Sequence, residues 1–202
     1  MSVDEATIES QSIGSTISNE MRSNAVKALI VACIFMLFYI WFRFKDIRFA
    51  GSAIIALVHD VLVMLTGYAL IRISVGNTFI ACILTIVGYS INDTIVIFDR
   101  IRENMQGMKK QTPETLAEVA NRSLTQTLSR SLNTSITTII MVLLLFILGV
   151  SSIREFALPL MIGLISGTYS SIFIAAALWY VMKLHLGKDK LLKPAVAKTK
   201  KK

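Results

Sequence analysis

Cysteine and charge are both scarce in this chain of 202 residues. The two cysteines provide neither a disulfide framework nor a zinc-ligand spacing, and each lies in an apolar run, where it is best explained as a small hydrophobic residue. Charged residues make up 17% of the chain and apolar residues 54%. This balance excludes an ordinary soluble core and indicates an integral membrane protein.

Five apolar segments are long enough to cross a bilayer as helices, which takes about 20 residues each. They are residues 25–44, 49–71, 78–98, 132–150 and 158–182. None resembles a cleavable signal peptide, because the first follows a polar lead that contains acids and lacks a basic n-region. We therefore predict an all-α bundle of five transmembrane helices (25–184) with an external lead-in (1–24), a cytoplasmic loop (99–131) and a basic cytoplasmic tail (185–202).

Lysine and arginine are distributed unevenly between the two sides that these spans define. One side receives Arg43, Lys45, Arg48, the basic residues of the 99–131 loop and the tail, whereas the other receives only Arg22, Lys27, Arg72 and Arg154. The positive-inside rule makes the first side cytoplasmic and the N-terminus external. The net charge of +8 thus reflects orientation and not nucleic-acid binding, because no aromatic residues interleave with the basic ones.

An external start with an odd number of spans is unusual for a complete protein. We therefore expect an earlier span and most of an external domain to be absent from this sequence. Within the 99–131 loop, Thr112-Pro113-Glu114 is typical of a helix start. Apolar residues then recur every fourth position, which predicts an amphipathic interfacial helix before the fourth span, although a solvated linker helix fits its first half equally well. These positions are Leu116, Ala120, Leu124 and Leu128.

Two aspartates fall inside predicted spans, where a carboxylate costs about 2.5–3.5 kcal/mol near the bilayer centre and usually signals function. Asp93 follows Asn92 in the inner half of the third span. Asp60 follows His59 in the middle of the second. We consider Asp93 a functional carboxyl, whereas Asp60 is either a second proton site or a packing residue bonded to His59.

Polar residues form stripes at helical spacing on the third and fourth spans. The third-span stripe is Thr85, Gly88, Tyr89, Asn92, Asp93 and Val96, and the fourth-span stripe is Gln126, Thr127, Arg130, Asn133, Thr134, Thr137 and Thr138. We expect the two to face each other, with Arg130 as the cationic partner of Asp93. Burial favours a neutral carboxyl and a guanidinium favours an ionised one, so this pair suits a proton relay. Simple interhelical hydrogen bonding is the preferred interpretation for Asn133, Thr137 and Thr138.

Small residues recur at four-residue spacing in the fifth span and predict close helix packing. They are Gly163, Gly167, Ser171 and Ala175. The sequence carries no metal-ligand spacing, and we expect neither a metal nor a cofactor.

The segment GYSINDTIVIFDRIREN (88–104), followed by SLTQTLSRSLNTS (123–135), resembles the signature of the SecF family, whose members are accessory subunits of the bacterial Sec protein-export machinery. The resemblance runs from about residue 8 to residue 183, and includes His59-Asp60 and the segment 154–167. SecF proteins belong to the proton-driven RND superfamily and usually carry six spans. The resemblance implies a multi-pass protein of the bacterial plasma membrane, with SecD, the SecYEG channel, a YajC-type subunit and the translocating polypeptide as partners.

The resemblance also implies a mechanism. Proton flow through the membrane part would drive motion of external domains, which draws a polypeptide across the membrane after the ATP-driven step. The carboxylate of the first motif and the arginine of the second are implicated in proton conduction in this family, and these are Asp93 and Arg130 here.

Three alternatives belong to other functional classes. Two aspartates on separate spans are also a feature of intramembrane aspartyl proteases, but the residues around Asp60 and Asp93 do not match those enzymes, and Ser90 lacks a rhomboid-type context. No activated nucleophile can be assembled, so we expect no enzyme. A small-molecule exporter subunit of the RND type and a purely structural membrane assembly subunit remain as alternatives.

Overall fold

A computed structural model describes residues 3–72, 77–106, 108 and 112–186, with the side chains of most of them from residue 20 onward. The described backbone is helical throughout, apart from short turns. Its elements are α1 (Val3–Phe44), α2 (Ile47–Ile71), α3 (Asn77–Met105), α4 (Pro113–Leu148), α5 (Ser151–Tyr169), the π-helical segment π1 (Ser170–Ala175) and α6 (Ala176–Leu186). The predicted basic tail lies almost wholly outside the described residues.

Within the described residues, five helices are long and apolar enough to cross a membrane, which confirms the predicted bundle. They are Val26–Phe44, Ile47–Ile71, Phe79–Met105, Pro113–Leu148 and Ile153–His185. The fifth comprises α5, π1 and α6, which follow one another without a break. The lead-in is also helical, because α1 runs continuously from it into the first span.

Aromatic packing joins four helices at one end of the bundle. Phe49 of α2 stacks on Trp179 of α6 with ring centroids 5.2 Å apart, and its ring lies 5.0 Å from that of Phe98 on α3. Phe44 of α1 completes the cluster, 5.0 Å from Phe49. Each of these rings is at least 94% buried, so the cluster fixes the positions of α1, α2, α3 and α6 relative to one another.

Ion pairs surround the aromatic cluster at the same end. Arg43 on α1 pairs with Asp99 on α3 at 2.9 Å, and Lys183 on α6 pairs with Asp46 at 3.2 Å. Asp46 is also the N-cap of α2, where its side chain accepts a hydrogen bond from the Arg48 amide. Only two residues separate α1 from α2, and this short connection makes the two helices antiparallel neighbours.

α4 begins where the sequence predicts, with Thr112 as N-cap and Pro113 in the first turn. Thr115 completes a capping box with Thr112. The predicted interfacial helix and the fourth span form one helix of 36 residues, since neither glycine nor a further proline interrupts it before it ends at Leu148. Its first half packs on the bundle through the buried side chain of Leu116.

α5 approaches α3 closely along the small residues predicted for packing. A Cβ atom at Gly163 would overlap the side chain of Ile86 on α3, and one at Gly167 would lie 3.1 Å from Cβ of Ser90. The absence of side chains at these two positions lets the backbones approach. As a result, the hydroxyls of Ser166 and Ser170 reach the interior of the bundle.

Candidate functional site

Asp93 lies on the face of α3 that packs against α4, two turns before the helix reaches the ion pairs described above. Ser131 of α4 donates a hydrogen bond of 2.5 Å to its Oδ1. The other carboxyl oxygen, Oδ2, is buried and has no hydrogen-bond partner in the described part of the chain. The side chain as a whole is half-buried, so the carboxyl has one satisfied oxygen and one that can accept a further partner.

In the described residues, five polar contacts connect α3 to α4 and form what we call the polar ladder. Tyr89 donates to Ser135 at 3.1 Å, Ser131 donates to Asp93, Arg100 donates to Gln126 at 2.7 Å, and Asn104 donates to Ser123 at 2.8 Å and to Gln126 at 3.0 Å. The partners run in opposite directions along the two antiparallel helices, and the contacts recur about every one to two helical turns. The ladder therefore holds Asp93 at a fixed position between its neighbours.

Arg130 does not form the contact that its position in the sequence predicts. Its side chain is exposed, and within the described residues no ion pair joins it to Asp93. The structure thus gives Asp93 the hydroxyl of Ser131, the next residue along α4, as its direct partner.

Most of the predicted α4 stripe faces away from α3. Gln126 and Thr127 touch the ladder or the buried interior, but Asn133 and Thr134 are exposed. Thr134 and Thr137 donate to carbonyl oxygens of their own helix, at 2.9 Å each. These residues form a polar face that no other helix of the described chain covers.

The buried face of α4 is a row of small hydroxyl residues that the sequence prediction missed. They lie at four-residue spacing: Ser123, Thr127, Ser131 and Ser135. The row is rotated by about one residue from the predicted stripe, with Thr127 common to both. Its regular spacing was visible in the sequence, but serine is common on both sides of this helix and does not mark the buried side by itself.

On α3 the predicted stripe divides between two environments. Tyr89 and Asp93 are half-buried against α4, whereas Gly88 and Asn92 are exposed. Within the described residues, a Cβ atom at Gly88 would meet nothing within 4 Å. The exposed side of α3 carries the apolar Leu84 in addition to Asn92.

Asp60 is fully buried and accepts hydrogen bonds from three serines of other elements. Ser90 of α3 and Ser170 of π1 each donate to Oδ2 at 2.6 Å, and Ser166 of α5 donates to Oδ1 at 2.8 Å. His59 Nδ1 lies 3.2 Å from Oδ1. The contact between His59 and Asp60 agrees with the sequence prediction. The three serine partners could not be predicted from the sequence, because they come from other helices.

Ser171 contacts residues next to both carboxyls, but in the described residues no chain of hydroxyl hydrogen bonds runs from Asp60 to Asp93. Ser171 hydrogen-bonds to Thr94 at 2.8 Å and donates to the Ser90 carbonyl at 3.2 Å, next to the residues that hold Asp60 and Asp93. In the ranges that the structure describes, no three His, Cys, Asp or Glu side chains are grouped as a metal site requires. A carboxyl group within a span can bind and release a proton.

Comparisons with known proteins agree with this architecture. Residues 1–185 match the family described as protein export membrane protein SecD/SecF, C-terminal. Protein translocase subunit SecF of Alicyclobacillus acidocaldarius is 48% identical over 172 residues, which cover 85% of this chain and 56% of that protein. Protein translocase subunit SecDF of Bacillus subtilis is 44% identical over 171 residues, which cover 85% of this chain and 23% of that protein.

The fold is shared as well. The crystal structure of SecDF from Thermus thermophilus, described as a translocon-associated membrane protein, matches with a TM-score of 0.74 and 45% identity, over 80% of this chain and 22% of that one. The chain thus spans about half the length of the SecF relative and about a quarter of the SecDF proteins. With a family match over 185 of its 202 residues, the chain belongs to the SecD/SecF C-terminal family of protein export membrane proteins.

Proposed function

We propose that this chain is an accessory component of a Sec translocase that uses the proton motive force to promote polypeptide translocation across the bacterial plasma membrane, after the ATP-driven step. The relatives named translocase subunit SecF and SecDF support the assignment to protein export. The proton-driven part rests on the site and on the family resemblance. The role is that of a transport component, without an enzymatic reaction or a cofactor.

The observation that carries the proposal is the half-satisfied carboxyl of Asp93. An acid inside a span is expensive, and interhelical hydrogen bonding alone does not require an ionisable group. Asp93 keeps one oxygen bound to Ser131 and the other without a partner in the described chain, so it can bind a proton without breaking the polar ladder. One charge crossing 100 mV releases about 2.3 kcal/mol, which is enough to bias a two-state rearrangement of helices.

The exposed polar face of α3 and α4 supports a SecD-type subunit as partner. Asn92, Arg130 and Asn133 lie on this face, and polar side chains within spans are normally covered by another helix instead of by lipid. Gly88 leaves open space there, so that a neighbouring helix can come close. On this proposal Arg130 lies at the boundary between the two subunits, where its charge reaches both Asp93 and the partner. SecYEG, a YajC-type subunit and the moving polypeptide are further proposed partners.

The proposed orientation has the N-terminus outside and the C-terminus in the cytoplasm. Arg43, Arg100 and Lys183 all lie at the end of the bundle where the ion pairs are, and the positive-inside rule places such an end in the cytoplasm. Asp93 then lies in the cytoplasmic half of α3.

The test is translocation into inverted membrane vesicles that contain the chain with its SecD-type partner. Preprotein transport is measured after the ATP-driven step, with and without a proton gradient. We expect Asp93→Asn to lose the gradient-dependent part and Asp99→Asn to keep it, since Asp99 is a carboxyl on the same helix whose pairing with Arg43 is exposed. Full gradient-dependent transport by Asp93→Asn would overturn the proposal in favour of a purely structural subunit. If Asp93→Asn lost gradient-dependent transport of small molecules but kept that of the preprotein, the result would favour a small-molecule exporter.

A further inference from the structure

Asp60 and its four neighbours form a second polar site, separate from the polar ladder. The carboxyl belongs to α2, and its serine partners come from α3, α5 and π1. In the described part of the chain, His59 is the one titratable side chain in contact with it, because the other three elements present only hydroxyls. The titratable groups of this site are therefore one carboxyl and one imidazole.

The hydrogen bonds around Asp60 satisfy an ionised carboxylate. A serine hydroxyl has one proton to donate, and Ser90, Ser166 and Ser170 each direct theirs at a carboxyl oxygen. A carboxylate accepts several such bonds and donates none. Three donors from three elements give the charged form partners that replace water in a fully buried position.

The same atoms can also satisfy the neutral acid. Ser170 Oγ lies 3.2 Å from the carbonyl oxygen of Gly167 in addition to its 2.6 Å contact with Asp60 Oδ2. When Asp60 carries a proton on Oδ2, it can donate that proton to Ser170 Oγ, and Ser170 can turn its own proton to Gly167. Both protonation states then have complete hydrogen bonding with the same set of partner atoms.

A route for the proton leads through His59. This ring is partly exposed, and it lines a groove of about 460 Å³ between α2 and α5 together with Ser166 and Tyr169. Val63, Ile162 and Ile165 line the rest of the groove, so the three polar side chains are the groups that can hold a water molecule there. A proton taken up from water at Nε2 makes the ring an imidazolium, the Nδ1–H bond then breaks, and an O–H bond forms at Oδ1 of Asp60. A half-turn of the carboxyl group about its Cβ–Cγ bond exchanges the two oxygens and brings this O–H group to Ser170 Oγ. Imidazolium and carboxylate thereby become imidazole and carboxylic acid.

We propose that Asp60 is a second proton-binding site, with His59 as the proton carrier and Ser170 as the alternate partner that accommodates both protonation states. Ser170 is the first residue of π1, and π-helical turns often occur at functional sites. The next residue, Ser171, is bonded to Thr94 beside Asp93. A change in the protonation of Asp60 thus changes the hydrogen bonding of Ser170 in π1, and π1 contacts α3, the helix that carries Asp93.

Infrared difference spectroscopy between acidic and alkaline buffers tests this directly. The protein is the full chain in lipid vesicles with the Asp93→Asn substitution, so that the first site cannot contribute. We expect a carbonyl band of a buried, protonated carboxyl at acidic pH. That band should disappear when Asp60→Asn is added and remain when Asp99→Asn is added instead. Equal difference spectra with and without Asp60→Asn would overturn the proposal and make Asp60 a fixed structural residue.

A second variant keeps the test decisive if Asp60→Asn does not fold. Ser170→Ala removes the alternate partner, so the band should shift in frequency. Ser52→Ala is the matched control, because Ser52 is a buried serine that bonds only to carbonyls of its own helix; it should leave the band unchanged. A band that Ser170→Ala does not move would also overturn the proposal. This inference rests on the proposed function, which it extends to another carboxyl. Because the test protein lacks Asp93 and no export is measured, proton binding by Asp60 and the proposed export function can each fail without the other.

Discussion

Ser131 on α4 donates a hydrogen bond to Asp93 on α3, and the neighbouring Arg130 points to the outside of the described bundle. The direct partner of this half-buried acid is therefore neutral, and the cation lies on the outside of the described bundle. On the proposed function, Ser131 holds Asp93 in place and Arg130 adjusts its charge. The two roles can be tested with different substitutions.

Ser131→Ala should destabilise the bundle by about 1 kcal/mol, because it leaves the Asp93 carboxyl without its only donor in the described chain. Arg130→Ala should leave the stability of the isolated chain unchanged while abolishing gradient-dependent transport. Thermal unfolding in detergent measures the first effect, with the exposed neighbour Ser129→Ala as control. Equal unfolding temperatures for Ser131→Ala and Ser129→Ala would show that the hydrogen bond contributes nothing to the fold.

Gly163→Ala should cost about 1–3 kcal/mol, since a methyl group there overlaps Ile86 and forces α5 away from α3. The loss should be smaller when Gly163→Ala is introduced together with Ile86→Ala, because truncation of Ile86 returns the space. Unfolding of the two single variants and the double variant by heat in the same detergent checks this. A double variant whose loss of stability equals the sum of the two single losses would mean that the two residues are not in contact.

Gly88→Ala tests the proposed partner face, because the added methyl group meets no atom of the described residues within 4 Å. We expect an unchanged unfolding temperature but weaker association with the SecD-type subunit, measured by co-purification from mild detergent. The larger change Gly88→Leu should reduce recovery of the partner further. If recovery of the partner is normal with Gly88→Leu, the partner does not bind at this face of α3.

The number and type of helices could be predicted from sequence because apolar length alone determines them. The start of α4 was equally predictable, since Thr112 and Pro113 act through local chemistry. The rotation of α4 about its own axis could not be predicted from the sequence. A step of one residue turns the helix by about 100°, and both sides of this helix carry small polar residues, so periodicity could not distinguish the Arg130 side from the Ser131 side.

The surroundings of Asp60 could be predicted even less. Ser166 and Ser170 are more than 100 positions away from it along the chain, and they reach it only because Gly163 and Gly167 let α5 approach α3. An aspartate in a span can be recognised as exceptional from the sequence. The hydroxyls that make its burial possible follow from the packing of three helices.

The central claim is that Asp93 carries protons across the membrane part of this chain. The most direct measurement is proton uptake by vesicles that contain the chain and its SecD-type partner, reported by a pH-sensitive dye while a membrane potential is imposed. The account predicts uptake with the unmodified chain and with Asp99→Asn, and no uptake above that of empty vesicles with Asp93→Asn. Uptake by Asp93→Asn equal to that of the unmodified chain would contradict it.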